Sequence, residues 1–244
     1  MGTAMDSPRS QASVTQFQLL AWCSPAYPTG AFSYSHGMEW AVERGTVATL
    51  AGLLDFIGAV LERGGGWVDA VLFAQAWRAA HQPPLVWEHS ARAQLRELAE
   101  LAAAFRATSE TALESCQQGA AFLQVTLMAW PHPRLAQFAG DLRGRRIAQS
   151  VAVAVACAAH DIELPTAIQA FVQVLAANLV SAGARLIPLG QTDAQIAVAR
   201  LAAVVAATAQ RAVAADLDDL GTSAPALELC SMRHETQYTR LFRS

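Results

Sequence analysis

From residue 17 onward the hydrophobic and polar positions fall into helical rhythm. Leu50, Leu53, Leu54, Ile57 and Leu61 form an apolar stripe at steps of three and four. Leu95, Leu98, Ala102 and Phe105 repeat it, with Arg92, Arg96, Glu97 and Glu100 on the other faces. The rhythm is interrupted at Gly64-Gly65-Gly66, Pro83-Pro84, Pro131-His132-Pro133, Asp161 to Pro165, and Pro188-Leu189-Gly190. Between these breaks the pattern predicts roughly ten helices, and no alternating strand pattern with hairpin turns appears. The expectation is an all-α fold, a single bundle over residues 17–230, preceded by a disordered polar leader over residues 1–16. The segment from Ile147 to Ala215 is the most apolar and is expected to supply the central helices.

Residues 164–184, LPTAIQAFVQVLAANLVSAGA, are uncharged over a length that crosses a bilayer. Gln169, Gln173 and Asn178 interrupt them and Pro165 opens them, without a flanking aromatic belt. The reading is a buried core helix, and no membrane.

Composition narrows the chemistry. All 17 basic residues are Arg, so a phosphate-binding P-loop and a lysine Schiff base are both excluded. A net charge of −3 and a pI near 6.1 speak against nucleic acid. Cys23, Cys116, Cys157 and Cys230 are far apart and form no C-x-x-C pair, which reads as reduced thiols in a cytoplasmic protein. The six His never stand at i,i+4, and no metal motif appears. DLDDLG (216–221) starts like a calcium loop, but Leu220 and Leu227 stand where ligands belong; it reads as a helix end and turn. Neither a resident metal nor a cofactor is expected.

Three stretches resist a purely structural account. In SPAYPTGAFSYSHGMEW (24–40), Pro25, Pro28 and Gly30 set a rigid turn. Ser33 or Ser35 is then positioned to cap a helix with Phe32, His36 and Glu39 or Glu43 on one face and Tyr34 and Met38 on another. Ser35 and His36 as nucleophile and base is a poor reading, since adjacent helical residues point apart and no G-x-S-x-G elbow is present. In IPLGQTDAQ (187–195), Gly190 closes one helix, Thr192 caps the next and Gln195 holds the capping-box position. Gln191 has no part in that turn.

The third stretch is the ending, SMRHETQYTRLFRS (231–244), too polar for core yet rich in anchors. As a short helix it would set Tyr238 and Phe242 at i,i+4, with Leu241 adjoining and Arg alongside. Ordering roughly ten residues costs about 10 kcal/mol in backbone entropy. Buried anchors return about 1.5–3 kcal/mol each, and charged hydrogen bonds about as much each. The balance is near zero, so this tail orders only against a surface that engages most of its groups.

SPAYPTGAFSYSHGMEWAVERG, VSAGARLIPLGQTDAQ and SMRHETQYTRLFRS, in this order, closely resemble the UreF family of urease accessory proteins. The resemblance spans roughly residues 17–244; the helices between, such as residues 67–106, match only in character. Ala194 departs from the family's usual Gly, and Ala120 stands where the family commonly has Arg. The resemblance implies an all-α, homodimeric, non-enzymatic protein that joins UreD (also called UreH) and the GTPase UreG to load nickel into apo-urease. It implies partner contacts along 231–244, at Arg233, His234, Glu235, Gln237, Tyr238, Arg240, Leu241, Phe242 and Arg243. Ser33, Tyr34, His36, Glu39, Gln191 and Thr192 are candidates for a second partner or dimer surface. Two other functions stand beside this one: regulation of GTP hydrolysis by UreG through an Arg or Gln supplied in trans, and a small-molecule enzyme with a helical pocket, for which no acid/base pair is in sight.

Overall fold

A computed structural model describes residues 8–244 of the chain. Its helices are α1 (Pro8–Trp22), α2 (Met38–Glu43), α3 (Leu50–Arg63), α4 (Gly65–Ala80), α5 (Pro84–Val86), α6 (Arg92–Ala104), α7 (Ser109–Ala129), α8 (Pro133–Asp141), α9 (Gln149–Ala159), α10 (Leu164–Leu186), α11 (Gln191–Ala214) and α12 (Pro225–His234). A π-helical turn, Trp87–Ala91, joins α5 to α6, and 3-10 turns lie at Ala31–Ser33 and Leu217–Asp219. No strand occurs among the described residues, and the fold is all-α.

The most apolar helices pack innermost. In α4 both faces are buried, from Trp67 and Val68 through Phe73 to Ala80. It lies on α9, whose run of Ala and Val presents little side chain and lets neighbouring backbones come close. Gly119 of α7 shows how close: a Cβ there would sit 2.1 Å from the Ile147 carbonyl oxygen. α10 packs against α11, α4, α3 and α9, burying Ile168, Phe171, Val172, Leu179 and Val180 as a core helix should. α11 is as long and as apolar as α10, and its outward face is lined with alanine.

The helix starts follow cap chemistry. Thr49 accepts from the Gly52 N–H at 3.2 Å to open α3. Thr108 and Thr111 cap α7 reciprocally, at 3.2 and 3.3 Å. Pro165 and Pro225 occupy the first turns of α10 and α12, where a missing N–H costs nothing. DLDDLG is a turn, closed by Asp216 Oδ1 on the Asp218 N–H at 2.8 Å.

Several expectations are corrected. The leader expected over 1–16 lies partly outside the described residues, and from Pro8 the chain is helical. The helix after the Pro-rich turn starts at Met38 with Gly37 at its cap, so neither Ser33 nor Ser35 is the cap residue, although the Ser35 hydroxyl accepts from the Glu39 N–H at 3.4 Å, and Phe32, Tyr34 and His36 are not on the helix. α11 starts at Gln191, with Gly190 at its cap; Asp193, rather than Gln195, reaches back to the Gly190 N–H at 3.2 Å. Past Glu235 the chain leaves helical geometry, so Tyr238 and Phe242 do not share a helix face.

Candidate functional site: a carboxylate seat for the chain's ending

The Pro-rich stretch ends in two left-handed residues, His36 (φ 55) and Gly37 (φ 76). Glycine is required at the second position, since a Cβ would lie 2.5 Å from the Ser231 backbone nitrogen. α12 therefore crosses in backbone contact with the start of α2. The hairpin of left-handed residues aims Glu39, in the first turn of α2, inward beneath α12, where it is 8% exposed.

Three carboxylates form the seat: Glu39 from α2, and Glu110 and Glu114, one turn apart on α7. Glu39 accepts from the backbone N–H groups of Leu241 (2.6 Å) and Phe242 (2.9 Å) and lies 3.2 Å from His234 Nε2. Glu110 lies 2.6 Å from His234 Nδ1 and accepts from Arg240 at 2.5 Å. Glu114 meets His36 Nε2 at 2.9 Å and accepts from Gln118 (3.1 Å) and the Ser244 hydroxyl (2.7 Å). His234 is fully buried between two acids.

The rest of the ending is tied down one group at a time. Glu235 accepts from the Ser109 N–H (2.9 Å) and hydroxyl (2.6 Å) and from the Glu110 N–H (3.4 Å), satisfying free N–H groups at the start of α7. The Ser109 hydrogen bond holds its carboxyl below the usual range. Gln237 donates to Glu43. The Arg243 N–H donates to the Ser33 carbonyl (2.8 Å), and the Ser35 N–H and hydroxyl both donate to the Ser244 oxygen. Phe242, 3% exposed, lies under the Arg185 guanidinium at 4.4 Å; Arg185 itself donates to the Phe32 carbonyl at 2.7 Å.

Behind the seat, Arg106 forks onto Asp69 at 2.9 and 2.7 Å in a nearly dry site. Burial alone would raise the Asp69 carboxyl; the Arg106 charge outweighs it and holds Asp69 below its usual range. His36, Glu114, Asp69, Arg106, Gln118 and Gln149 line a cavity of about 380 Å³ on this side. Ser35 and His36 are engaged in different directions, one with Ser244 and the other with Glu114, so they do not form a nucleophile and base. Among the described residues no group of three or more His, Cys, Asp or Glu is arranged to hold a metal ion.

The family profile of UreF matches residues 47–202. The chain belongs to the UreF family. It is 48% identical over 228 residues to the urease accessory protein UreF of Rhodopseudomonas palustris strain HaA2, covering 93% of each chain. It is 47% identical to that of Granulibacter bethesdensis, again covering 93% of each. With that of Bradyrhizobium diazoefficiens it shares 45% identity, covering 93% of this chain and 91% of the relative.

In this UreF-family chain the residues singled out in 231–244 divide into two sets. His234, Glu235, Gln237, Arg240, Phe242 and the Arg243 backbone are spent on the chain's own domain. Arg233, Leu241 and Tyr238 face outward; Leu241 is 64% exposed and Tyr238 wholly so. Of the second set, Ser33, Tyr34, His36 and Glu39 converge on the seat, Tyr34 being buried and donating to Gln117 at 2.5 Å. Gln191 and Thr192 lie exposed at the start of α11. Sequence reasoning missed Glu110, Glu114 and Arg185. The available signal was local: two acids at i,i+4 in SETALES, one turn into a long helix, opposite an ending rich in His and Arg.

Proposed function

We propose that this chain is a non-catalytic scaffold that links UreD (UreH) and the GTPase UreG while nickel is loaded into apo-urease. It acts as a homodimer in the cytoplasm, where its thiols stay reduced. The observation that supports this is the display of Tyr238 and Leu241 on a backbone pinned by His234, Arg240 and Phe242. An anchored segment has already lost its conformational freedom, so a partner that binds it meets a smaller ordering cost. Tyr is among the residues most often found to dominate interface energies, and Leu229 and Met232 of α12 and Phe32 of the 3-10 turn are further exposed apolar groups.

Pull-down of UreD with Tyr238→Ala and Leu241→Ala tests the reading. A loss of at least about 2 kcal/mol, roughly thirtyfold in affinity, is expected for Tyr238→Ala. Its melting temperature should match the parent's, because a fully exposed side chain contributes little to folding. Capture of UreD at parental affinity by the double variant refutes the assignment. Regulation of UreG turnover is the second reading, favoured by the exposed Arg233 in the last turn of α12. GTP hydrolysis by UreG, with and without the Arg233→Ala chain, separates the two.

A further inference from the structure

A second cavity, of about 320 Å³, lies between the Pro-rich turn and α10. Its roof, residues 24–32, is pinned at both ends. The Tyr27 hydroxyl pairs with Thr126 of α7 at 2.8 Å, and the Phe32 carbonyl accepts from Arg185 of α10 at 2.7 Å. Between these ties the turn folds on itself, with the Tyr27 N–H on the Ser24 carbonyl at 2.9 Å and the Thr29 N–H on the Tyr27 carbonyl at 2.8 Å. Space is left above the helix, and a Cβ on Gly30 would meet nothing within 4 Å. Trp22, Tyr27 and Phe122 form an aromatic wall, the Phe122 ring centred 5.8 Å from Trp22 and 5.4 Å from Tyr27.

The lining carries no Asp, Glu, His or Arg. A charged ligand would leave water for walls that hold no counterion, and nothing there offsets the cost. The polar groups that line the cavity are neutral and unspent. Gln149 of α9 and Asn178 of α10, both half-buried, make no side-chain hydrogen bond, and the Trp22 indole N–H is buried without an acceptor among the described residues. A side-chain amide offers donors and an acceptor, an indole only a donor. Apolar walls with a few convergent polar groups, around about 300–1,000 Å³, are the usual make-up of a small-molecule site. We propose that this cavity binds an uncharged, largely apolar small molecule that carries an amide. Its body lies against Trp22, Tyr27 and Phe122, and its amide pairs with Asn178 and Gln149. The site is preformed, because both ends of its roof are tied to the bundle, so little ordering is left for the ligand to drive. It is a property of the chain alone and independent of the scaffold reading.

Proton–nitrogen correlation NMR on the full chain tests it. Each of the six Trp gives one indole signal, and Trp22→Phe identifies that of Trp22. The probe is N-benzylacetamide; toluene lacks the amide, and phenylacetate and benzylammonium carry a charge instead. N-benzylacetamide should move the Trp22 signal saturably, with a dissociation constant of about 1 mM or lower, as the efficiency of a ligand of this size allows. Phenylacetate and benzylammonium should bind at least about tenfold more weakly. Asn178→Leu deletes no hydrogen bond of the fold; it should weaken N-benzylacetamide about fivefold and leave toluene as in the parent. Ala177→Phe, which fills the cavity from α10, should abolish binding of both. If Ala177→Phe does not fold, Asn178→Leu decides alone. A parent chain without a saturable shift overturns the proposal. So do charged compounds that bind as well as the amide, and an Asn178→Leu chain with the parent's preference for the amide over toluene. A Trp22 signal that follows dilution of the protein rather than the probe also overturns it, since the cavity would then be a contact between copies.

Discussion

Replacing Glu39 by Ala should undo the seat without unfolding the bundle. Two donors lose their acceptor, the Leu241 and Phe242 N–H groups at 2.6 and 2.9 Å, and His234 Nε2 loses its neighbour at 3.2 Å. Hydrogen bonds to a charged acceptor contribute about 1.5–3 kcal/mol each. Taking only the two short backbone bonds gives about 4 kcal/mol, roughly a thousandfold shift toward the unseated ending. Phe242 then loses its backbone tether, with the Arg185 guanidinium still 4.4 Å from its ring. Glu39→Gln retains one acceptor oxygen and should produce about half the effect in free energy. Trypsin offers a direct assay, because every basic residue is Arg and Arg240 and Arg243 fall within the seated segment. When reclosing is faster than cleavage, the rate of cutting follows the open population. Intact-mass analysis should therefore show loss of the last residues far sooner in Glu39→Ala, while the melting temperature moves little. Cleavage at the parental rate would refute this account of the seat. A large drop in melting temperature would instead make Glu39 a support of the core.

Gly37→Ala should unseat α12, because its Cβ would lie 2.5 Å from the Ser231 backbone and its φ of 76° costs about 1–2 kcal/mol for an L residue. Gly30→Ala, with the same φ and open space, is the control; tryptic loss of the ending should rise in the first variant and not in the second. Arg106→Ala leaves Asp69 buried and unpaired, at a cost of about 3–5 kcal/mol, roughly 6–20 °C in melting temperature for a chain of this size. The parent's carboxyl is depressed, so the stability it contributes is present above the usual carboxylate value near 3.8 and lost as pH falls through the folded value. The variant should show the opposite slope, gaining stability as acidification neutralises Asp69; thermal melts from pH 7 to 5 check the sign.

Helical elements with local causes were legible in the sequence. The stripe Leu50 to Leu61 is α3, and the breaks at Pro83, Pro131 and Pro188 separate helices where the punctuation said they would. Short-range chemistry at element ends was less so: Thr192 looked like a cap, but Gly190 and Asp193 share that task. The ending was half legible. Its demand for a surface that engages most of its groups followed from composition. Its geometry did not, because the Leu241 and Phe242 N–H groups bind Glu39 more than 200 positions away rather than a carbonyl of their own turn. An i,i+4 argument for Tyr238 and Phe242 presumes a helix whose donors are unclaimed. Here they are claimed, and one ring is buried while the other is wholly exposed.

The span between Glu39 and Leu241 also dictates an order of events. A contact that closes a loop of 202 residues gains nothing until the intervening chain has folded and brought its ends together. Glu110 and Glu114 reach the seat only when α7 has docked through Gly119 onto the backbone before α9, and Arg185 only when α10 is in place. Seating of residues 235–244 is thus the closing step of folding. Display of Tyr238 and Leu241 on a fixed backbone becomes a certificate of completion: a chain with a misassembled interior has the same residues but no platform on which to present them.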